Sequence, residues 1–274
     1  MTAALLFTAC GGQEAPDEGA AHSSPPATGG AAVAADPAWE HVHNLTLDGP
    51  RLLMGSHGGL WQQNSGEQAT LLSKPAFDVM GLVVAPAGLL ASGHPGPGQD
   101  LPADLGVRRS TDGGRSWQTV SLEGEVDFHR LQAVGSVVLG LSSTDGRLLR
   151  SQDDGATWQD LGTPPVYDIA LDPRDPERVL ATTEQGPVLS TDGGANFAPI
   201  EGAPLLALLS WAGRTVYAAA PNGDIYSSAD GGVSWKRTGS AGGPPGAIAA
   251  EGKHVVVLAG DAIVESTDAG ATFT

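Results

Sequence analysis

Histidines and carboxylates recur in this chain in short phrases whose spacing suits metal binding or acid–base work. His41-Val-His43, Asp78-Val-Met80 and Asp127-Phe-His129 each put two side chains on one side of an extended segment, because successive strand residues point to opposite faces. His57 lies in Gly55-Ser-His-Gly-Gly, His94 in Ser92-Gly-His-Pro and Glu184 in Thr183-Glu-Gln-Gly, while Tyr167-Asp168 opens another apolar run. Converging imidazoles and carboxylates suit Zn²⁺ or Cu²⁺, and Met54 and Met80 add soft ligands for copper. His41, His43, His57, His94 and His129 are therefore candidate metal ligands, and together with Tyr167 the candidate ligand-binding residues. A second reading assigns Asp78, Asp127, Asp168 and Glu184 to a two-carboxylate glycosidase, which needs carboxyl groups roughly 5 to 9.5 Å apart. A third makes all of these rim residues satisfied by backbone hydrogen bonds.

A repeat supplies the frame that could bring such distant phrases together. Ser110-Thr-Asp-Gly-Gly-Arg-Ser-Trp117 returns as Ser151–Trp158, Ser190–Phe197, Ser228–Trp235 and Ser266–Phe273, at intervals of 38 to 41 residues. A period near 40 with strand-like flanks is the mark of a β-propeller, one four-stranded blade per repeat. The Gly residues supply the positive φ angles of a tight turn, and Asp112, Asp153, Asp192, Asp230 and Asp268 can each hold it shut by accepting backbone hydrogen bonds. A blade without the phrase precedes these five, with strands expected at His41–Leu47, Arg51–Gly55, Gly59–Gln63 and Ala69–Ser73. Later blades are expected to open near Phe77, Val126, Val166, Leu205 and Ala247. The sixth stops at Thr274, so residues 37–40 are expected to complete or cap it and close the ring, leaving no open edge strand. In such a ring the starts of the inner strands and the loops after the second strands share one face, opposite the repeated turns. Five of the seven histidines then gather at one end of blades one to three, leaving out His22 and His254. The loop from His94 to Leu105, the longest connection, is expected over that face.

The repeated phrase resembles the Asp-box, or BNR, repeat of the sialidase-like propellers across roughly residues 100–274. The resemblance implies that the box lies between the third and fourth strands of each blade, away from the ligand face. It does not extend to the sialidase site: there is no Arg-Ile-Pro motif, and Arg108, Arg109, Arg115, Arg147 and Arg150 cluster around the boxes. From residue 41 onward the chain also resembles bacterial Asp-box lipoproteins labelled glycosyl hydrolases, on its His-x-His opening, Gly-Ser-His-Gly-Gly-Leu turn, Ser-Gly-His-Pro loop and Asp-Phe-His strand. That resemblance implies a glycosyl hydrolase-like propeller outside the cytoplasm. The label rests on fold analogy, so a non-catalytic module binding a metal, a glycan or a protein stands beside it.

Composition narrows the class. With 39 Gly, 20 Pro and only 5% aromatic residues the chain suits a turn-dense all-β domain, and a formal net charge of −17 offers no basic stripe for nucleic acid. No apolar run reaches the ~18 residues of a membrane-spanning helix. The single cysteine, Cys10, ends Leu5-Leu-Phe-Thr-Ala-Cys, which looks like the lipid-accepting end of a bacterial lipoprotein signal. Phe7 and the lack of a basic leader depart from that pattern and suggest a start assigned too far downstream. The expected organisation is a truncated signal over 1–10, a flexible Gly/Ala/Pro linker over 11–37 reaching about 30 Å from the membrane, and a six-bladed all-β propeller over 38–274. Such a protein would work as a lipid-anchored monomer at the cell surface or in the periplasm.

Overall fold

The computed structural model describes the backbone of Val33–Ala34 and residues 41–74 and 76–274. Cys10 and residues 37–40 lie outside them. The described residues form 24 strands and no helix, so none is a helix able to cross a membrane. The strands, numbered β1 to β24 in chain order, make six four-stranded antiparallel sheets. Sheets one to five are consecutive meanders, the first built from Val42–Asp48, Arg51–Ser56, Gly59–Asn64 and Thr70–Leu71 and the fifth from Leu208–Ala212, Thr215–Ala219, Asp224–Ser228 and Lys236–Ser240. Their inner strands are β2 (Val42–Asp48), β6 (Asp78–Ala85), β10 (Phe128–Val134), β14 (Asp168–Asp172) and β18 (Leu208–Ala212), joined in blade six by β22 (Pro245–Glu251). Each inner strand touches the next, and β22 returns to β2. The architecture is a six-bladed β-propeller, as the repeat implied.

The ring closes with strand β1 (Val33–Ala34), which pairs antiparallel with β24 (Ala262–Ser266) and supplies the fourth strand of blade six. Closure therefore uses chain from both ends, and the strand lies upstream of residues 37–40, inside the stretch expected to be linker. The apolar core is divided among the blade interfaces. Phe77, Val79 and Leu82 of blade two pack on Leu53 and Leu60 of blade one. Five further clusters of the same kind fill the remaining interfaces. Adjacent blades thus bury one another's sheet faces, which is the main force holding the ring together.

The repeated turns are built as their residues suggest. Asp112 Oδ1 accepts hydrogen bonds from the Arg115 and Ser116 amides at 3.0 and 2.9 Å, and Ser110 Oγ accepts one from Gly114 N at 2.8 Å. The bond from the amide four residues on and the serine–glycine bond recur around Asp153, Asp192, Asp230 and Asp268. Hydrogen bonds from side chain and backbone at Thr157, Asn196 and Ser234 hold Asp153, Asp192 and Asp230 down to about 2. The aromatic residue that follows packs on the cluster shared with the preceding blade: Trp117 lies against the cluster between blades one and two and meets Phe77 of its own blade edge-on, with ring centroids 5.5 Å apart. Two copies depart from glycine, so Asp154 (φ 58°) and Ala269 (φ 64°) occupy the left-handed region.

Candidate metal centre

Three consecutive inner strands begin with the same irregularity. In blade one the pairing steps from Val42↔Ser56 to Asn44↔Gly55, leaving His43 as an extra residue. In blade two it steps from Val79↔Gly93 to Gly81↔Ser92, leaving Met80. In blade three it steps from Phe128↔Ser142 to Arg130↔Leu141, leaving His129. Such bulges turn a side chain out of its ladder. Two residues before each bulge stands His41, Asp78 or Asp127. Opposite these, at the end of the second strand, stand His57, His94 and Ser143, tied by the His57 N–His41 O bond (3.2 Å), the Asp78↔His94 pairing and the Ser143 N–Asp127 O bond (2.9 Å). Blade six has the same bulge at Gly246 with Pro244 and Gly260 in the other two places, so it keeps the backbone form without the functional groups.

Neighbouring blades bring these rows into two sets. In the first, His57 Nδ1 lies 2.8 Å from Asp78 Oδ2 and 3.3 Å from His43 Nε2, which is 3.5 Å from Asp78 Oδ1. His41 Nδ1 adds a third imidazole 3.2 Å from His43 Nδ1. In the second, Asp127 Oδ2 lies 2.7 Å from His129 Nε2 and 3.3 Å from His94 Nε2. Within each of the triads His41/His43/His57 and His94/Asp127/His129, one ligand atom per residue falls within 4.8 Å of the others. Within blade two a Cβ at Gly93 would stand only 1.8 Å from Asp78 O, so glycine there lets the strand carrying His94 pair with the Asp78 strand.

The electrostatics favour a neutral His43 and an ionised Asp127. Burial lowers His43 to about 4, against the opposing pull of Asp78 and with the help of His57, His41 and His129. The contribution of His129 places the two sets within electrostatic reach of each other. Burial would raise Asp127, yet hydrogen bonds from His129 and Ser143 and the charges of His129 and His94 hold it below the usual range. Ser143 Oγ donates to Asp127 Oδ2 at 2.8 Å, and Asp104 Oδ1 lies 3.7 Å from His94 Nδ1. Asp78 Oδ1 and Asp127 Oδ1 are both buried and accept no hydrogen bond among the described residues. Imidazole nitrogens beside carboxylate oxygens without donors make a donor set for a borderline divalent ion.

Several expected residues fall elsewhere. Asp168 does not join the other carboxylates at the mouth. It is buried in the channel wall, 3.0 Å from Arg130 Nε, with Leu209 N donating to Oδ2 at 2.7 Å. Blade four keeps regular pairing from Asp168 to Leu171 where blades one to three bulge, and burial pushes Asp168 up against the counter-charge of Arg130. Met54 is fully buried in the core between blades one and six. Tyr167 and Glu184 are exposed, and their side chains make no hydrogen bond or ion pair among the described residues. Ser143, Asp104 and Arg130 were not singled out from sequence. Of these, Ser143 was legible, since it occupies the place of His57 and His94 in its own blade.

His43 also lines the central channel, a cavity of about 200 Å³ bounded by inner strands of all six blades. No protein-family model and no curated protein matches the chain. Solved structures do resemble its fold. A chain of a nidogen/laminin complex superposes with a TM-score of 0.64 at 14% identity over 82% of this chain and 92% of that one. A GH74 xyloglucanase from Xanthomonas campestris gives 0.57 at 18% identity over 85% of this chain and 45% of that one. YCF48 bound to a D1 peptide gives 0.54 at 17% identity over 89% and 84%. The present chain thus spans less than half of the xyloglucanase. At these identities the likeness defines a protein class by fold alone, the β-propellers, and it carries no residue roles across.

Proposed function

We propose that this chain is an extracytoplasmic Asp-box propeller, lipid-anchored through Cys10, whose mouth across blades one to three binds transition-metal ions, Zn²⁺ or Cu²⁺. The observation that carries the reading is the convergence of one ligand atom per residue within 4.8 Å in both His41/His43/His57 and His94/Asp127/His129, with Asp78 of the next blade 2.8 Å from His57. His43, His57 and Asp78, with His41, would hold one ion, and His94, Asp127 and His129 the other. Buried carboxylate oxygens without hydrogen-bond donors support this, because an orphaned buried acceptor costs about 1–3 kcal/mol that a cation would recover. The Cys10 anchor is supported by the phrase that leads to it.

The geometry favours metal binding over glycoside hydrolysis by these carboxylates. A glycosidase acid needs a raised carboxyl open to substrate. Asp127 is held low, and Asp168, which is raised, is sealed against Arg130. The test is metal analysis of purified protein, then titration of chelator-treated protein with Zn²⁺ and Cu²⁺ beside a panel of chromogenic glycosides. Stoichiometric uptake, lost in His43→Ala and Asp127→Asn variants that still fold, is the expected result. Glycoside turnover without metal uptake would overturn it in favour of a hydrolase.

A further inference from the structure

The bulge row of blades one to three reads His43, Met80, His129, so a methionine stands at a place that imidazoles hold on both sides. The two blade junctions are built alike. His57 of blade one faces Asp78 of blade two at 2.8 Å, as His94 of blade two faces Asp127 of blade three at 3.3 Å. At the second junction the aspartate's own blade completes the set, with the bulge residue His129 at 2.7 Å from Asp127 Oδ2. At the first junction the corresponding bulge residue is Met80. By the same rotation, the place that His43 takes at the first junction falls to Met80 at the second.

Packing sets Met80 apart from an ordinary core methionine. Met54 is buried inside the cluster between blades one and six. Met80 is 8% exposed, yet among the described residues it belongs to none of the six apolar clusters. Nothing in blades four to six copies this arrangement of two imidazoles around a thioether.

We infer that Met80 is a metal ligand between the two His/Asp sets, and that it makes this mouth selective for copper. The inference rests on the metal-binding reading above and names the ion. A thioether is a soft donor that favours Cu⁺ and adds little for Zn²⁺, whereas imidazole serves both. Carboxylate and imidazole alone would leave zinc and copper separated only by the general order of divalent affinities.

The experiment uses the chelator-treated full chain and Met80→Leu, which preserves side-chain volume and apolarity. Cu⁺ is titrated without oxygen against a chromogenic cuprous chelator, and Zn²⁺ against a zinc indicator. Met80→Leu should weaken Cu⁺ binding at least tenfold and change Zn²⁺ binding less than twofold, with an unchanged melting temperature. Met80→His, which restores the imidazole of the neighbouring blades, should tighten Zn²⁺ instead. Equal Cu⁺ affinity in wild type and Met80→Leu, with metal bound by both, overturns this inference alone. If the wild type takes up neither ion, the metal-binding reading falls and this one with it.

Discussion

His43 should make the protein lose stability on acidification in a way that one substitution removes. Its ring is only 12% exposed, and burial lowers it from 6.5 to about 4. Asp78 opposes the shift, while His57, His41 and His129 reinforce it. Between those two pH values the unfolded chain binds the proton that the folded protein refuses. Stability therefore rises with pH across the window and falls as pH drops from 6.5 toward 4. At about 1.4 kcal/mol per pH unit the ceiling is ~3 kcal/mol, and solvent at the mouth reduces it to about 2 kcal/mol. For a domain of this size that is roughly 4–8 °C in melting temperature. The assay is thermal unfolding of chelator-treated wild type and His43→Gln from pH 4 to 7. The wild type should lose that much more than the variant as pH falls, whatever offset separates them at pH 7. Parallel profiles would refute the claim that burial keeps this imidazole neutral.

Three other outcomes follow from the same geometry. Arg130→Met leaves Asp168 buried without its counter-charge, so it should cost about 3–5 kcal/mol at neutral pH. Because an acid with a raised folded value loses stability as pH rises through it, the deficit should shrink toward pH 4, and melts across pH would show it. Removing residues 1–34 deletes the strand that pairs with Ile263 and Ala262. The melting temperature should fall by many degrees, and unchanged unfolding would mean that blade six does not need its fourth strand. Ala269→Gly relieves a side chain held at φ 64°. The relief of about 1–2 kcal/mol exceeds the ~0.5–1 kcal/mol of added chain entropy, so calorimetry should find a rise of about 1–2 °C.

Much of the fold was legible because a propeller blade is a local object. Each turn between third and fourth strands is specified by eight consecutive residues, and each meander by near neighbours, so strand limits expected in blade one differ from those observed by a residue or two. The gathering of His41, His43, His57, His94 and His129 followed from the same periodicity. The expectations that failed depend on register. Val166-Tyr-Asp168-Ile and Ala76-Phe-Asp78-Val look equivalent in sequence, yet only the second leads into a bulge. Shifting a strand by one residue moves its side chains to the other face, so Asp168 lines the channel against Arg130 while Asp78 meets His57. Met54 likewise went to the core because its strand is packed on both faces.

The sequence by itself determined the number of blades, the chemistry of their outer turns and the end of the ring at which function should be sought, since all three are written in contiguous residues with a fixed period. Tertiary structure alone decided which histidine meets which carboxylate. The His57–Asp78 and His94–Asp127 pairs join different blades, at strand starts whose bulges exist only when two strands are already in register. It also decided the closure of the ring by Val33–Ala34, because a two-residue strand carries no pattern of its own and acquires its place only from the unpaired edge that β24 presents.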